Sequence, residues 1–262
     1  MNAKPQTIAS DITSMIREIA EKAGSHAQAK ILASSVLDEC AKLQKVDVVE
    51  ASLLKANIYA LTGEIAEVER WIRNAEQNYA APERVAAARE LVYFLTGQIS
   101  KAAPYFAGVL RTHAGDPVAV FNKCMATAWF EKAVSVIEMF PAVPWHGELV
   151  DLARRAWGAA QALKLDEGFA SAVMDQVHGI MVNRGLIWLD VTPTITVLDE
   201  LHGGPLIHIS YRVAETPRVA AELSWELAER LAARDLENRG LLVSYHGVKL
   251  GTVTVDAPLA VC

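Results

Sequence analysis

The sequence predicts a mostly α-helical chain that closes in a small α+β unit. Antiparallel helical hairpins stack as a solenoid over residues 1–163, and a small sheet with a packed helix occupies 164–262. Three observations carry this expectation. Tyr59-Ala-Leu-Thr-Gly63-Glu-Ile65 returns 34 residues later as Tyr93-Phe-Leu-Thr-Gly97-Gln-Ile99, a period that matches one helix-turn-helix unit. Apolar residues recur every three to four positions as far as Val182, as a buried helix face requires. Beyond Gly185 the apolar period falls toward two, the period of a strand.

The elements follow in order. Ile8, Ile12, Met15, Ile16 and Ile19 give a helix over 7–22 that Gly24 ends. From Ser25 a second helix turns Ala29, Leu32, Ala33, Val36, Leu37 and Cys40 toward a neighbour. Helices are then expected over 48–62, 64–78, 83–96, 98–112, 117–127 and 129–140. Pro104 sits early in its helix, where a missing N–H costs least. After Pro141 and Pro144, a helix over 147–163 buries Leu149, Leu152, Ala153, Ala156, Trp157 and Ala160, and another runs from Phe169 to Val182. Residues 186–198 read as strand broken at Pro193, and Gly203-Gly204 turns the chain into a strand over 205–213. Thr216-Pro217 is a helix start, a capping hydroxyl followed by Pro at the first helical position. That helix carries Val219, Leu223, Leu227 and Leu231, and a hairpin about Gly247 is expected after Asn238-Arg-Gly240.

The repeated phrase resembles the tetratricopeptide repeat over roughly residues 48–140. Tyr93, Gly97, Ala102 and Phe106 match its spaced positions, with Pro117 opening the next unit; one unit earlier stand Tyr59, Gly63, Val68, Ile72 and Pro82, Val68 being larger than the family's usual Ala. Thr127 to Ala133 echoes Thr96 to Ala102 at a spacing of 31, with Ala128 where Gly is expected. The Trp, Leu and Gly that open the first helix in that family are replaced by Ser52, Lys55 and Ala56, and then by Ala86, Arg89 and Glu90. The resemblance implies a groove lined by the first helix of each pair, here Leu53, Asn57, Arg84, Leu91, Phe94, Asn122 and Met125. It implies another protein or peptide as partner, and work as an adaptor, a chaperone-like holder or an assembly factor. Asn57 and Asn122 match the Asn of the family's peptide clamps. The clamp's neighbouring Lys is Leu53 in one unit and Val118 in another, so a largely apolar groove is expected rather than a carboxylate clamp.

Composition narrows the function classes. At 52% hydrophobic and 21% charged, the chain is globular in character. Its net charge of −6 argues against a nonspecific grip on nucleic acid, which needs clustered Lys and Arg to displace counterions. No run reaches the roughly 20 apolar residues of a membrane span, and the N-terminal stretch lacks the apolar core of a secretory signal. Cys40, Cys124 and Cys262 form no close pair, and His26, His113, His146 and His178 are scattered. A cytoplasmic protein without metal or cofactor is the expectation.

One polar group stands out from this background. Strand alternation puts His208, Ser210 and Arg212 on the face away from Ile207, Ile209, Tyr211 and Val213, and Ser244 and His246 join them if their strand runs alongside. The group admits acid–base chemistry, anion binding or a plain solvated face. His202-Gly-Gly-Pro lacks the Lys-Ser/Thr pair and the following helix of a phosphate loop and reads as a turn. An enzyme with its site around His208 and His246 is therefore the alternative to a binding module. Buried, mutually hydrogen-bonded His208 and His246 would favour it, and an open apolar groove on the helices would favour the binder.

Overall fold

The computed structural model describes residues 5–23, 25–106, 116–186, 193–201, 204–236 and 239–248. The described residues form eleven α-helices and a three-stranded sheet. The chain divides into two compact units, residues 1–112 with 181–190, and residues 113–180 with 191–262.

The first unit holds α1 (Pro5–Lys22), α2 (His26–Leu43), α3 (Val48–Leu61), α4 (Ile65–Gln77), α5 (Pro82–Leu95) and the single turn α6 (Ile99–Ala102). Side-chain caps open α2 and α3. Ser25 caps α2 by accepting from the Gln28 N–H (3.3 Å), and Asp47 caps α3 by accepting from the Glu50 N–H (2.9 Å). Consecutive helices pack on one another, and α3 also packs on α5. Gly24, the expected end of α1, lies outside the described residues. The buried stripe of α2 is Ala29, Ala33, Val36, Cys40 and Leu43, whereas Leu32, expected on that stripe, is 40% exposed. The helix expected over 98–112 is interrupted early: after one α-turn the chain tightens into a 3₁₀ turn at Ala103–Tyr105. Pro104 explains this, since its ring excludes the carbonyl four residues back. Residues 107–115 lie outside the description.

The turns repeat in detail. At Gly63 φ is +76°, Thr62 N–H bonds Ile58 C=O, Gly63 N–H bonds Ala60 C=O, and Glu64 N–H reaches back to Tyr59 C=O. At Gly97 φ is +70°, and Thr96, Gly97 and Gln98 bond Val92, Phe94 and Tyr93 in the same pattern. At Ala128 φ is +57°, and Thr127, Ala128 and Trp129 bond Lys123, Met125 and Cys124. This is a Schellman-type helix end, in which a left-handed residue satisfies carbonyls that the helix leaves over. Gly63 has a second reason to lack a side chain, because a Cβ there would stand 2.6 Å from Nδ1 of His26.

The second unit contains α7 (Pro117–Ala126), α8 (Phe130–Met139), α9 (Gly147–Ala162), α10 (Glu167–Asn183, whose last turn belongs to the first unit) and α11 (Pro217–Ala232), with β1 (Thr194–Leu201), β2 (Gly204–Val213) and β3 (Leu241–Gly247). The sheet order is β1-β2-β3, β1 antiparallel to β2 and β3 parallel to it, so α11 is the crossover a parallel pair needs. Thr216 caps α11 by accepting from the Val219 N–H (3.3 Å), and the buried stripe is Ala220, Leu223, Leu227 and Leu231, opening on Ala220 rather than Val219. The strand expected after Gly247 lies mostly beyond the described residues.

This division differs from the expected boundary at residue 163. Two tyrosines on the buried sheet face explain why α7 and α10 go with the sheet. The Tyr211 hydroxyl donates to the Ala126 carbonyl at the end of α7 and lies 3.4 Å from the Met174 sulfur, and the Tyr245 hydroxyl donates to the Val177 carbonyl at 2.6 Å. Both rings are buried, so each brings a large apolar area and a satisfied polar tip into one core.

Gly63→Ala should lose on the order of 1 kcal/mol or more in urea unfolding, from the left-handed backbone and the contact with His26. Leu227→Ala, at a side chain 1% exposed, should cost roughly 2–5 kcal/mol in the same measurement.

Candidate functional site

The predicted groove positions fall in both units. In the first, Leu53 is 7% exposed and packs against Ala75 and Ala88, with Val49 and Ala80 at its margin. Phe94 is also buried, at 4% exposure, and Leu91 is half-buried. Arg84 is exposed and pairs with Glu50, linking α5 to α3. Asn57 is half-buried, and its Oδ1 is shut off from solvent with no hydrogen-bond partner among the described residues. In the second unit Asn122 is exposed and Met125 is buried. Leu53, Phe94 and Met125 thus fill interior space, and the accessible members are Asn57, Arg84, Leu91 and Asn122.

A polar cluster beside α3 escaped the sequence reading. Ser52, Lys55 and Ala56, which stand where the resembled family has Trp, Leu and Gly, are all buried. Lys55 Nζ donates to Gln44 Oε1 at 2.6 Å and stands 4.0 Å from the centroid of the Trp71 ring. Burial lowers the Lys55 pKa and pushes the neighbouring Cys40 thiol up to about 11, so Cys40 is a poor source of thiolate. Arg89, one 34-residue period after Lys55, pairs instead with Glu76 at 3.0 Å and Glu69 at 3.7 Å. The departure from the family pattern at these positions was the available signal. Only the fold supplies the partners.

The polar sheet face forms as the alternation requires. Ser210 pairs with Ser244 and Arg212 with His246 in the β2–β3 register, while Thr194 and Thr196 of β1 lie opposite Ser210 and His208. His208 Nε2 lies 2.9 Å from Ser244 Oγ, and Ser244 Oγ lies 3.4 Å from Ser210 Oγ. A His–Ser contact of this length can pass a proton, but among the described residues no carboxylate hydrogen-bonds His208. His208 is half-buried and meets Ser244, not His246, which is exposed. The buried, paired histidines that would favour an enzyme are not what forms here. Among the described residues no group of three His, Cys, Asp or Glu side chains could hold a metal ion.

The histidine in the deepest surroundings is His178 on α10, fully buried with its ring edge-on to Tyr211 at 5.4 Å. Burial lowers its pKa to about 3, and the same cause raises the pKa of Tyr211 and Tyr245. His178 therefore serves as neutral packing. Compared with known proteins, the chain matches no family model, no curated protein and no solved structure. No helix of the described residues is long and apolar enough to cross a membrane.

His178 makes stability depend on pH. Its folded pKa lies below the ordinary 6.5, so the unfolded chain binds a proton that the folded chain refuses. The stabilisation is complete above pH 6.5 and is lost by up to about 1.4 kcal/mol per unit as pH falls toward 3. Urea midpoints measured from pH 7 to pH 4.5 should show that slope in the native chain and a shallower one in His178→Gln.

Proposed function

We propose that the first unit is tetratricopeptide-like and binds an extended polypeptide along the helix faces carrying Asn57, Arg84 and Leu91. The protein then works in the cytoplasm as an adaptor, holder or assembly factor and not as an enzyme. The observation that carries the reading is the buried, partnerless Oδ1 of Asn57 on α3. A buried acceptor left unsatisfied costs about 1–3 kcal/mol, and turning the half-buried Asn57 amide outward to accept a bound peptide's backbone N–H removes that cost. Asn57 occupies the position from which clamp asparagines of the resembled family hold a peptide backbone. Support also comes from the common turn geometry at Gly63, Gly97 and Ala128. Half-buried Leu91 and exposed Arg84 supply apolar and charged surface on the next first-of-pair helix, α5. The 2.9 Å contact of His208 with Ser244 favours the second reading, a hydrolytic or transfer enzyme. That reading would need an orienting partner for His208.

A peptide selected on the intact protein from a random displayed library provides the probe. Asn57→Ala should weaken that peptide by about tenfold or more in calorimetry, equivalent to about 1.4 kcal/mol. The same variant should lose no stability in urea, because the acceptor it removes is unsatisfied in the free chain. Equal affinity of wild type and Asn57→Ala would overturn the reading, as would loss of a hydrolytic activity in His208→Ala.

A further inference from the structure

The polar face of the sheet carries a feature that polypeptide binding by the first unit does not use. Arg212 is half-buried on the central strand, yet its side chain makes no ion pair or hydrogen bond among the described residues. A guanidinium offers five N–H donors in a fixed fork suited to oxyanions. Its cross-strand neighbour is His246, and on the same face lie Ser210 and Ser244. Neighbouring strands run about 5 Å apart, so side chains paired this way are adjacent.

The charge around this group is one-sided. The outer face of β2 reads Leu206, His208, Ser210 and Arg212, that of β3 Leu242, Ser244 and His246, and β1 opposite contributes Thr194, Thr196 and Leu198. No carboxylate occurs in that set, although the chain as a whole carries −6. Glu215, the next acid after β2, forms no ion pair with Arg212. On the flanking helix, Glu222 and Glu226 pair with Arg218 and Arg230, and Glu229 accepts from the Trp225 indole N–H at 2.8 Å.

The face continues into a groove of about 430 Å³ between β3 and α11, which His246 shares with Ala221, Ser224, Trp225 and Ala228. That volume falls within the roughly 300–1,000 Å³ of small-molecule clefts. Trp225 is 70% exposed, an unusual position for the largest apolar side chain. It offers a flat ring on which a planar body stacks.

We propose that this face binds a phosphomonoester, its phosphate held by Arg212 and His246 and its planar body lying along Trp225. Phosphate fits better than carboxylate because the donors approach from several directions. Arg212 supplies a fork, His246 an imidazole N–H from the next strand, and Ser210 a hydroxyl from the same face. In the tautomer with hydrogen on Nε2, His208 donates to Ser244 and Ser244 to Ser210. The Ser210 hydroxyl is then left to donate to the anion. The site lies wholly in the second unit and is independent of the peptide-binding reading.

Calorimetry on the intact chain with phenyl phosphate, inorganic phosphate and phenol tests it. Phenyl phosphate should bind about tenfold or more tighter than either fragment. Arg212→Gln should weaken both phosphate-bearing probes by about tenfold, and Arg212→Lys, which keeps the charge without the fork, by less. Trp225→Ala, at an exposed side chain, should weaken phenyl phosphate alone. Absence of saturable phenyl phosphate binding at millimolar concentration would overturn the proposal. So would an affinity that Arg212→Gln leaves unchanged, or phenyl phosphate binding no tighter than inorganic phosphate.

Discussion

The left-handed residue that ends the helices is the constraint on which both units depend. A helix leaves its last carbonyls without donors, and in a pair whose partner begins at once there is little water to supply them. One residue at φ near +60° solves this by sending the following N–H back to a carbonyl five residues earlier. Gly63 and Gly97 do this at no steric cost, whereas Ala128, Lys164 and Tyr79 adopt the same sign of φ with side chains, at φ +57°, +55° and +61°. Each non-glycine case carries strain on the order of 1 kcal/mol that the packing of its helices must offset. The Thr before Gly63, Gly97 and Ala128 adds a side-chain bond to the helix end, through Thr62 to Tyr59, Thr96 to Val92 and Thr127 to Lys123.

In the second unit the corresponding role falls to hydroxyl groups that cross between elements. Tyr211 and Tyr245 stand on neighbouring strands, and their hydroxyls end on carbonyls near Ala126 and Val177. Trp129 Nε1 donates to Ser171 at 2.9 Å in the same interior. The helix carbonyl at Val177 already accepts within its own helix, so the tyrosine takes its second lone pair rather than breaking a bond. Sheet and helices are therefore joined by directional bonds as well as apolar area. The outer sheet face, free of that duty, keeps His208, Ser210 and Arg212 half-exposed.

Much of the secondary structure was legible because its causes are local. Ser25, Asp47 and Thr216 announce helix starts through side chains that reach only three residues ahead, and Gly63 and Gly97 announce turns. The alternation of β2 predicted its polar face for the same reason. The candidate groove was less legible. Leu53 and Phe94 lie on helices, α3 and α5, close to the ranges expected, but whether a residue on a helix meets a neighbour or solvent depends on the helix beside it. Leu53 meets Ala75 and Ala88, which follow it by more than twenty residues.

By itself, then, the sequence determined helix starts, left-handed turns, the change from a period near 3.6 to one near two, and the polar composition of one strand face. These follow from backbone sterics and from hydrogen bonds between residues a few positions apart. The tertiary structure decided that α7 and α10 belong with the sheet, that Lys55 rests on Trp71 and Gln44, and that Arg212 stands beside His246 with no counterion among the described residues. Each of these joins residues distant in sequence, and their pairing depends on which apolar surfaces find one another when the whole chain packs.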